Sequence, residues 1–430
     1  MSESKSLPAR SLPPAAVLDL TTQVATLLFV NGETTERLER ESERIARTLG
    51  FDAEFFVRWG ELTIRINERG SANDAIVGAV PAGVDMRKVT AILALIDEVC
   101  SLRLPAEAVS SKLDAIRALP PVSVARFAVL AGAGAAGLGV IFGATHLWTL
   151  VLIALSASAG GCLRRWLGGI SRNLLIQPFS AALLAGVVGA IAVRLHLSSV
   201  LHLVAVCPCM VLVPGPHLLN GTLDCAHARI SLGAARIGFA GLIILMICTG
   251  LLTGLFLGGT SLPVFGPSFP IPLGYDVIAA GIAVAAYGTF FAMPWRTLPI
   301  PMLIGMLAHA ARWGLMSVAG ASIEIGALGA CLLVGAITAP IADRLRLPFA
   351  ALAFASVVSL IPGVFLFRMA GGLVALVGLG ERTPPALLTG TIADGGTAFL
   401  ILLAMAFGLI VPKLCIDHVA DLIRERTPAR

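Results

Sequence analysis

The sequence predicts an all-α polytopic membrane domain of about ten transmembrane helices, in two five-helix inverted repeats, preceded by an N-terminal cytoplasmic α+β domain. Of the 430 residues, 57% are hydrophobic and 13% charged, whereas soluble proteins carry roughly 25% charged residues. Residues 1–123 hold 31 of the 57 charged side chains, and the other 307 residues hold 26. A Pro-Gly pair also closes an apolar run twice, at Pro214 and Pro362, which are 148 positions apart. Duplicated bundles with interrupted helices are a common build of membrane transporters.

The N-terminal part begins with a polar, Pro-rich stretch that has no apolar signal-peptide core, so residues 1–14 are predicted to be a disordered tail. Residues 15–30 predict an amphipathic helix. Asn31-Gly32 predicts a turn, followed by a helix over residues 33–49 with three acid-first i,i+4 pairs, and Gly50 predicts the turn that ends it. That charge pattern is most typical of a solvated helix face. Three short strands (54–59, 61–67 and 74–80) and two helices (87–101 and 105–119) complete an α+β domain over residues 15–120.

Ten apolar segments follow. The first repeat covers residues 121–262, with spans near 124–144, 147–163, 176–195, 198–215 and 234–258. The second covers residues 263–413, with spans near 275–293, 297–316, 322–341, 348–366 and 385–411. Five spans per repeat is an odd number, so the second repeat enters the membrane from the opposite side. Residues 414–430 are the predicted cytoplasmic tail.

Arginine placement predicts the orientation. With both termini cytoplasmic, the inner loops hold eight arginines and the outer loops four, as the positive-inside rule favours. The excess of base belongs to the membrane part, so the net charge of +5 does not indicate nucleic-acid binding. No phosphate-binding glycine loop indicates ATP, and the eight scattered cysteines offer no set of four zinc ligands. We therefore expect no metal and no cofactor. The oligomeric state is left open, a homo-oligomer included.

Four stretches resemble the threonine/serine exporter family of bacterial inner-membrane proteins. They are LLFVNGETTERLERESERIARTLGF, LPAEAVSSKLDAI with the helices around it, VLVPGPHLLNGTLD and SLIPGVFLFRMAGGL. The resemblance covers nearly the whole chain and implies that two modules, separate chains in some relatives, are fused here. It also implies export of small hydroxylated amino acids, driven by the proton gradient.

The two breaks are the first candidate substrate site. Proline removes an N–H and interrupts the helix, which frees backbone groups near Pro214-Gly215 and Pro362-Gly363 to bind a carboxylate or an ammonium. A plain helix end is the alternative. After the first break come His217, Asn220 and Asp224, of which Asn220 and Asp224 share a helix face. An ordinary cytoplasmic loop explains these three equally well.

Two acids are candidate proton carriers, because a charged side chain at membrane depth usually marks a pathway. Asp394 lies inside the last span, beside Gly395 and Gly396, and Glu324 lies near the start of the eighth. His202 and His309 lie within spans and are more typical of buried, hydrogen-bonded histidines.

Two other functions are compatible with the sequence. A membrane-embedded hydrolase would need a nucleophile and a base, for which Cys207 and Cys209 near His202 and His217 are the best constellation. A transporter of another small metabolite, such as a dicarboxylate, would share the architecture.

Overall fold

A computed structural model of the chain describes residues 13–68, 71–101, 103–104, 108–144, 146–195, 202–262 and 271–426. Most of the predicted N-terminal tail (1–12) and the last four residues therefore lie outside the described residues. The same holds for the start of the predicted fourth span and for much of the predicted outer loop 259–274.

The N-terminal part packs helices against a small antiparallel sheet of strand order β1-β2-β3. Its elements are α1 (Pro14–Val30), α2 (Thr35–Thr48), β1 (Asp52–Arg58), β2 (Gly60–Glu68), β3 (Ser71–Ala79), α3 (Met86–Cys100) and α4 (Val109–Arg117). Strand β2 is central, and its alternating side chains Leu62, Ile64 and Ile66 are fully buried beneath the helices. The predicted turns occur at glycines with positive φ, Gly32 at 90° and Gly50 at 92°, where other residues would be strained.

Helix α2 begins and ends within two residues of the predicted range, and all three predicted acid-first pairs form ion pairs. Its interpretation as a solvated face was wrong, because one side of α2 contacts the helices that follow. Glu39 pairs with Arg229, and Glu41 lies 3.1 Å from Arg346. The charges on α2 therefore hold the N-terminal part to the rest of the chain.

Twelve further helices follow in the described part of the chain. They are α5 (Val124–Ile141), α6 (Leu147–Ile170), α7 (Ile176–Arg194), α8 (His202–Met210), α9 (Gly215–Ala226), α10 (Ile230–Leu257), α11 (Leu273–Phe290), α12 (Pro299–Ser317), α13 (Ile323–Leu345), α14 (Phe349–Val357), α15 (Gly363–Leu379) and α16 (Pro385–Arg426). Among the described residues, eight helices are long and apolar enough to cross a membrane, and the bent pair α8–α9 makes up to nine. Large apolar side chains such as Phe256 and Val377 point outward, as lipid-facing residues do.

The helices recur in order. Helices α11 to α16 begin 147 to 155 residues after α5 to α10. Their packing recurs as well: α7 packs on α10 as α13 packs on α16, and α5 packs on α6 as α11 packs on α12. Between the two sets, α8 contacts α15 and α9 contacts α14. We call the helix before each break its first arm (α8 and α14) and the helix after it the second arm (α9 and α15). The first arm of each interrupted helix thus lies beside the second arm of the other.

Both interrupted helices differ from the predicted spans. The apolar run 348–366 was predicted to be one span, but it divides at Ile361-Pro362, and the helix after the break is long enough to cross a membrane. The run 198–215 likewise ends at Met210, and α9 leaves the break at 52° to α8. Proline lacks the N–H that would continue the helix, so each break divides a path that hydropathy alone reads as one segment.

The N-terminal part contacts one end of the helix bundle. The amide of Met86 donates to the carbonyl of Phe291, just after α11, at 2.8 Å. Nη1 of Arg37 donates to the carbonyl of Leu347, just before α14, at 2.7 Å. We call this end, where α11 finishes and α14 begins, the docking face, and the opposite end, where α11 begins and α12 finishes, the distal face.

Candidate functional site

The two Pro-Gly breaks pack against each other's first arms. A Cβ added at Gly215 would lie 1.5 Å from Cζ of Phe354 in α14. A Cβ added at Gly363 would lie 2.7 Å from Cγ of Met210, the last residue of α8. Glycine is therefore required at Gly215 for steric reasons, and the breaks form the centre of the bundle.

One backbone group freed at the first break has a side-chain partner. The carbonyl of Met210 accepts a hydrogen bond from the hydroxyl of Tyr287, which is buried in α11. The same carbonyl also accepts a hydrogen bond from the amide of Val213 at 3.3 Å, so both bonds stabilise the interrupted conformation. They also mean that this carbonyl does not offer a free binding group.

The three polar residues after the first break contact the N-terminal part. Nδ2 of Asn220 donates to the carbonyl of Gly32 at 3.2 Å. Oδ2 of Asp224 lies 3.0 Å from Nε of Arg236, and the imidazole of His217 packs edge-on against Phe239. None of the three lines the large cavity described below, so the structure places them at the docking face.

Glu33, in the turn before α2, is buried at the same contact. Burial raises the pKa of Glu33 above its ordinary 4.5, and the neighbouring Arg37 offsets part of that rise. Oε1 of Glu33 accepts a hydrogen bond from the amide of Thr34 at 2.8 Å. The docking contact therefore contains a carboxyl group whose ionisation is unfavourable.

The largest cavity, about 880 Å³, lies at the distal face. Its walls come from both repeats: the start of α8, the end of α5, the distal ends of α11, α12 and α13, the first turns of α15, and Ile401 of α16. The second break forms part of its floor, through Ser359 and Pro362. Of the two predicted Pro-Gly sites, the second therefore borders the cavity and the first does not.

A buried chain of three polar side chains joins three helical segments at this cavity. Oδ2 of Asp276 in α11 lies 3.0 Å from Nδ1 of His309 in α12. Nε2 of His309 lies 2.6 Å from Oγ of Ser359, in the 3-10 turn before the second break. His309 is fully buried, whereas Asp276 and Ser359 line the cavity.

Arg312 lies one turn beyond His309 and lines the same cavity. Within the described residues its guanidinium makes no ion pair and no hydrogen bond, unlike Arg368 on the opposite wall. Nε of Arg368 lies 3.0 Å from Oδ2 of Asp394 in α16. Arg312 is partly buried, and the charge of Asp276 acts on it from a distance. Because the guanidinium makes no direct contact with a carboxylate, it can bind an anion.

The two predicted proton carriers have different settings. Asp394 is 5% exposed and lies inside α16, as predicted, where it is paired with Arg368. Glu324 lies in the first turn of α13, after the capping residue Ser322, and is partly exposed. Neither residue lines the cavity.

A small void at the docking face corresponds to the distal cavity. It has a volume of about 10 Å³ and is lined by Phe127, Ala157 and Val211, among others. These residues precede Asp276, His309 and Ser359 by 149, 152 and 148 positions, which are the offsets between the corresponding helices and breaks. The two repeats thus form corresponding pockets of unequal size. Beside the small void, a cavity of about 270 Å³ at the docking face is lined by Phe127, Arg164 and Gln177, so the docking side is narrower than the distal side.

Aromatic side chains fill the space between the breaks and the docking face. Tyr287 and Phe291 of the α11 end and Phe354 of α14 have ring centroids 6.2 to 6.5 Å apart. Each such pair stabilises the packing by about 0.5–1.5 kcal/mol beyond its burial. This cluster closes the bundle on the docking side.

The cysteine constellation considered for a hydrolase is not assembled at the cavity. Cys207 and Cys209 are fully buried in α8, and within the described residues neither thiol hydrogen-bonds to a histidine. His202 lines the distal cavity, whereas His217 lies at the docking face.

Sequence reasoning missed Asp276 and Ser359. Asp276 is in the first turn of α11. An acid is common there because it interacts favourably with the helix N-terminus, so its position alone does not indicate a functional site. Ser359 resembles any helix serine. Only the fold brings them to His309, and no local pattern signals that meeting.

A bundle of apolar helices, two of them interrupted at its centre and bordering a polar cavity, defines a membrane transporter. Two sequence models of the threonine/serine exporter (ThrE) family match the chain, one over residues 19–258 and the other over residues 276–415. The chain belongs to the threonine/serine exporter family, with both modules in one polypeptide. No solved structure matches it.

Proposed function

We propose that this protein exports threonine and serine from the cytoplasm by alternating access, driven by the proton gradient. Membership of the threonine/serine exporter family supports export as the activity, and the unequal sizes of the pockets support alternating access as the mechanism. The distal cavity of about 880 Å³ is larger than the void of about 10 Å³ and the neighbouring cavity of about 270 Å³ on the docking side. A carrier that opens one side at a time requires this asymmetry, and exchange of the two states moves the substrate.

The two repeats are inverted with respect to each other in this proposal. If both ran in the same direction, the first arms α8 and α14 would lie at the same membrane depth and pack together. Instead α8 contacts α15, and α9 contacts α14, as antiparallel repeats require. The repeats comprise residues 121–262 and 263–413, with five crossings each, after an N-terminal domain over residues 15–120.

We place the docking face on the cytoplasmic side of the inner membrane and the distal face on its outer side. Arg229 and Arg346 contact α2 at the docking face, whereas Arg312 lines the distal cavity. This distribution follows the excess of arginine in cytoplasmic loops. Both termini are then cytoplasmic, and the structure corresponds to a state open to the outside.

The charges of the cavity fit a zwitterion. Arg312 is available for a carboxylate and Asp276 for an ammonium, whereas Arg368 is already neutralised by Asp394. A dicarboxylate would need a second free cation. Ser359, beside the second break, supplies a hydroxyl that can bond to the substrate's own hydroxyl.

Efflux of labelled threonine and serine from loaded proteoliposomes tests the activity. We expect efflux that accelerates when the outside is made acidic, and no efflux from protein-free vesicles. If purified, correctly oriented protein moves neither amino acid, the proposed function is wrong.

A matched pair of serines tests the conformation. Ser317 lines the distal cavity and Ser156 the void at the docking face. In a variant whose native cysteines are replaced by serine, Ser317→Cys is expected to react with an impermeant maleimide added outside. Ser156→Cys should stay unreactive from either side until transport starts. Early labelling of Ser156→Cys from the cytoplasmic side would contradict an outward-open resting state.

A further inference from the structure

We propose that His309 carries the coupled proton and that its imidazolium competes with the substrate ammonium for one carboxylate, Asp276. This inference rests on the proposed function and names the group by which the proton gradient drives it. The contact of Asp276 with His309, 3.0 Å, and of His309 with Ser359, 2.6 Å, supports it. Both partners of the buried imidazole border the cavity.

The two contacts favour one neutral tautomer of His309. Nδ1 lies 3.0 Å from Oδ2 of Asp276, without the alignment of a hydrogen bond. A carboxylate only accepts hydrogen bonds, so the ring hydrogen is assigned to Nδ1, beside Asp276. Nε2 then holds the lone pair and accepts from the hydroxyl of Ser359. The imidazole is thus oriented with its basic nitrogen toward a hydroxyl that reaches cavity water.

Protonation of His309 proceeds through Ser359 and needs only a hydronium ion from the cavity. The hydroxyl passes its hydrogen to Nε2 and takes one from a hydronium ion in the cavity, which leaves water. His309 gains one proton, Ser359 is unchanged, and the hydrogen bond reverses so that Nε2–H donates to Oγ. Ser359 lies three residues before Pro362, so the reversal occurs next to the second break.

Asp276 is the acid that can neutralise the imidazolium. Helix α12 packs against α11, α13 and α14. Of these, α11 contributes Asp276, and α14 contributes no charged side chain. Helix α13 contributes Glu324 near its distal start, outside the cavity lining, and Asp343 and Arg344 near its docking end. Across the cavity lie His202 and Arg368, and Arg312 is on the same helix.

The competition follows from the charge balance. Asp276 offers one negative charge, and Arg312 already adds a positive one to the cavity. A protonated His309 and a substrate ammonium together would leave an excess of positive charge in a setting of low dielectric, which is costly. Arrival of a proton from the outside therefore expels the amino acid, and loss of that proton on the cytoplasmic side restores the site.

The second repeat alone has this arrangement. The corresponding residues of the first repeat, Phe127, Ala157 and Val211, are apolar and line the closed void. A residue needed only for packing would be replaceable by an apolar one in this position, as it is in the other repeat. The polar chain therefore serves the asymmetric task of the cycle, proton coupling.

His309→Gln tests the proposal, with His146→Gln as the control, because His146 is an exposed histidine before α6 that does not line the cavity. In proteoliposomes, we expect His309→Gln to keep threonine exchange at equal pH on both sides but to lose acceleration by a pH gradient. His146→Gln should keep both. Unchanged gradient-driven efflux in His309→Gln, or an equal loss in His146→Gln, would overturn the proposal.

A binding measurement covers the case in which His309→Gln fails to fold. If one proton competes with threonine for the site, the apparent Kd of threonine rises as the pH falls, with a limiting slope of about tenfold per pH unit. We expect this rise in the wild type and in His146→Gln. A flat Kd in the wild type would refute the competition. A wild type that binds and exchanges no threonine would instead refute the proposed function.

Discussion

The side-chain amide of Asn220 donates a hydrogen bond to the carbonyl of Gly32 at 3.2 Å, across 188 positions of the chain. Asn220 belongs to the helix that follows the first break, and Gly32 to the turn between α1 and α2. The helix that leaves the centre of the bundle is thus attached to the N-terminal part. We therefore expect the N-terminal part to stabilise the closed docking face.

Removal of this bond tests the attachment. Asn220→Ala should lower the free energy of unfolding by about 1–3 kcal/mol, because the Gly32 carbonyl loses its partner in a buried contact. Thr222→Ala is the control, since Thr222 bonds only to its own helix, at Leu218. Thermal unfolding in detergent measures both. Equal stability of the two variants would argue against a role for the Asn220 bond.

Gly215→Ala should destabilise the protein, because its Cβ would lie 1.5 Å from the ring of Phe354. Overpacking of a close-packed interior costs about 1–3 kcal/mol. The added variant Phe354→Leu should restore part of the stability. Gly378→Ala is the control, because a Cβ there meets no atom within 4 Å. Thermal unfolding of all four proteins would show whether the clash, rather than the loss of glycine flexibility, causes the defect.

Arg368 and Asp394 are expected to act as a pair. Asp394→Asn leaves the guanidinium of Arg368 without its partner at 3.0 Å and should reduce transport and stability. The double variant Arg368→Gln with Asp394→Asn should recover gradient-driven efflux. The hypothesis that Asp394 carries the coupled proton predicts the reverse, because the double variant lacks the acid. Efflux from proteoliposomes with an imposed pH gradient distinguishes the two.

Arg312→Gln should weaken threonine binding about ten- to a hundredfold, which corresponds to the roughly 1.5–3 kcal/mol of a hydrogen bond to a charged group. Threonine amide, which lacks the carboxylate, should bind the wild type and Arg312→Gln equally. Arg382→Gln is the control, since Arg382 is exposed in the turn after α15. Equilibrium binding in detergent gives the affinities. If Arg312→Gln weakens the binding of threonine amide as much as it weakens the binding of threonine, Arg312 does not bind the carboxylate.

Glu33 should make stability depend on pH. Its pKa in the folded state lies above the ordinary 4.5, so the folded protein holds this proton more tightly than the unfolded chain. Below the unfolded value both states are protonated and the effect vanishes. Stability is lost as pH rises through the folded pKa. The melting temperature of Glu33→Gln relative to wild type should therefore rise as the pH rises above the ordinary value of 4.5, whereas Glu43→Gln, on the partly exposed side of the same helix, is the control.

The sequence predicted those elements whose signals are local. The acid-first pairs of α2 and the turns at Gly32 and Gly50 formed as expected, because helix pairs and glycine turns depend on neighbours along the chain. The break at Pro362 was predicted from its Pro-Gly pair, but hydropathy does not change there, so the range 348–366 was read as one span and the helix that continues to Leu379 was missed. The solvated reading of α2 failed because its partners, such as Arg346, lie about 300 residues away.

The candidate site was less accessible to sequence reasoning. Asp394 was correctly located inside a span, but its partner Arg368 could not be chosen from the sequence. His309 was noticed as a buried histidine, yet its two partners come from other helices, and only tertiary packing brings Asp276 and Ser359 within reach. A site whose side chains come from different helices leaves no pattern of residue spacing along the sequence.

The contacts of Gly215 with Phe354 and of Gly363 with Met210 have a consequence for the cell. Each break packs against the opposite half of the molecule, so we expect the two breaks to move together. In the proposed transport cycle, the movement that opens one side then closes the other. A membrane containing many copies of the protein would then keep its voltage and its pH difference while no substrate is being exported.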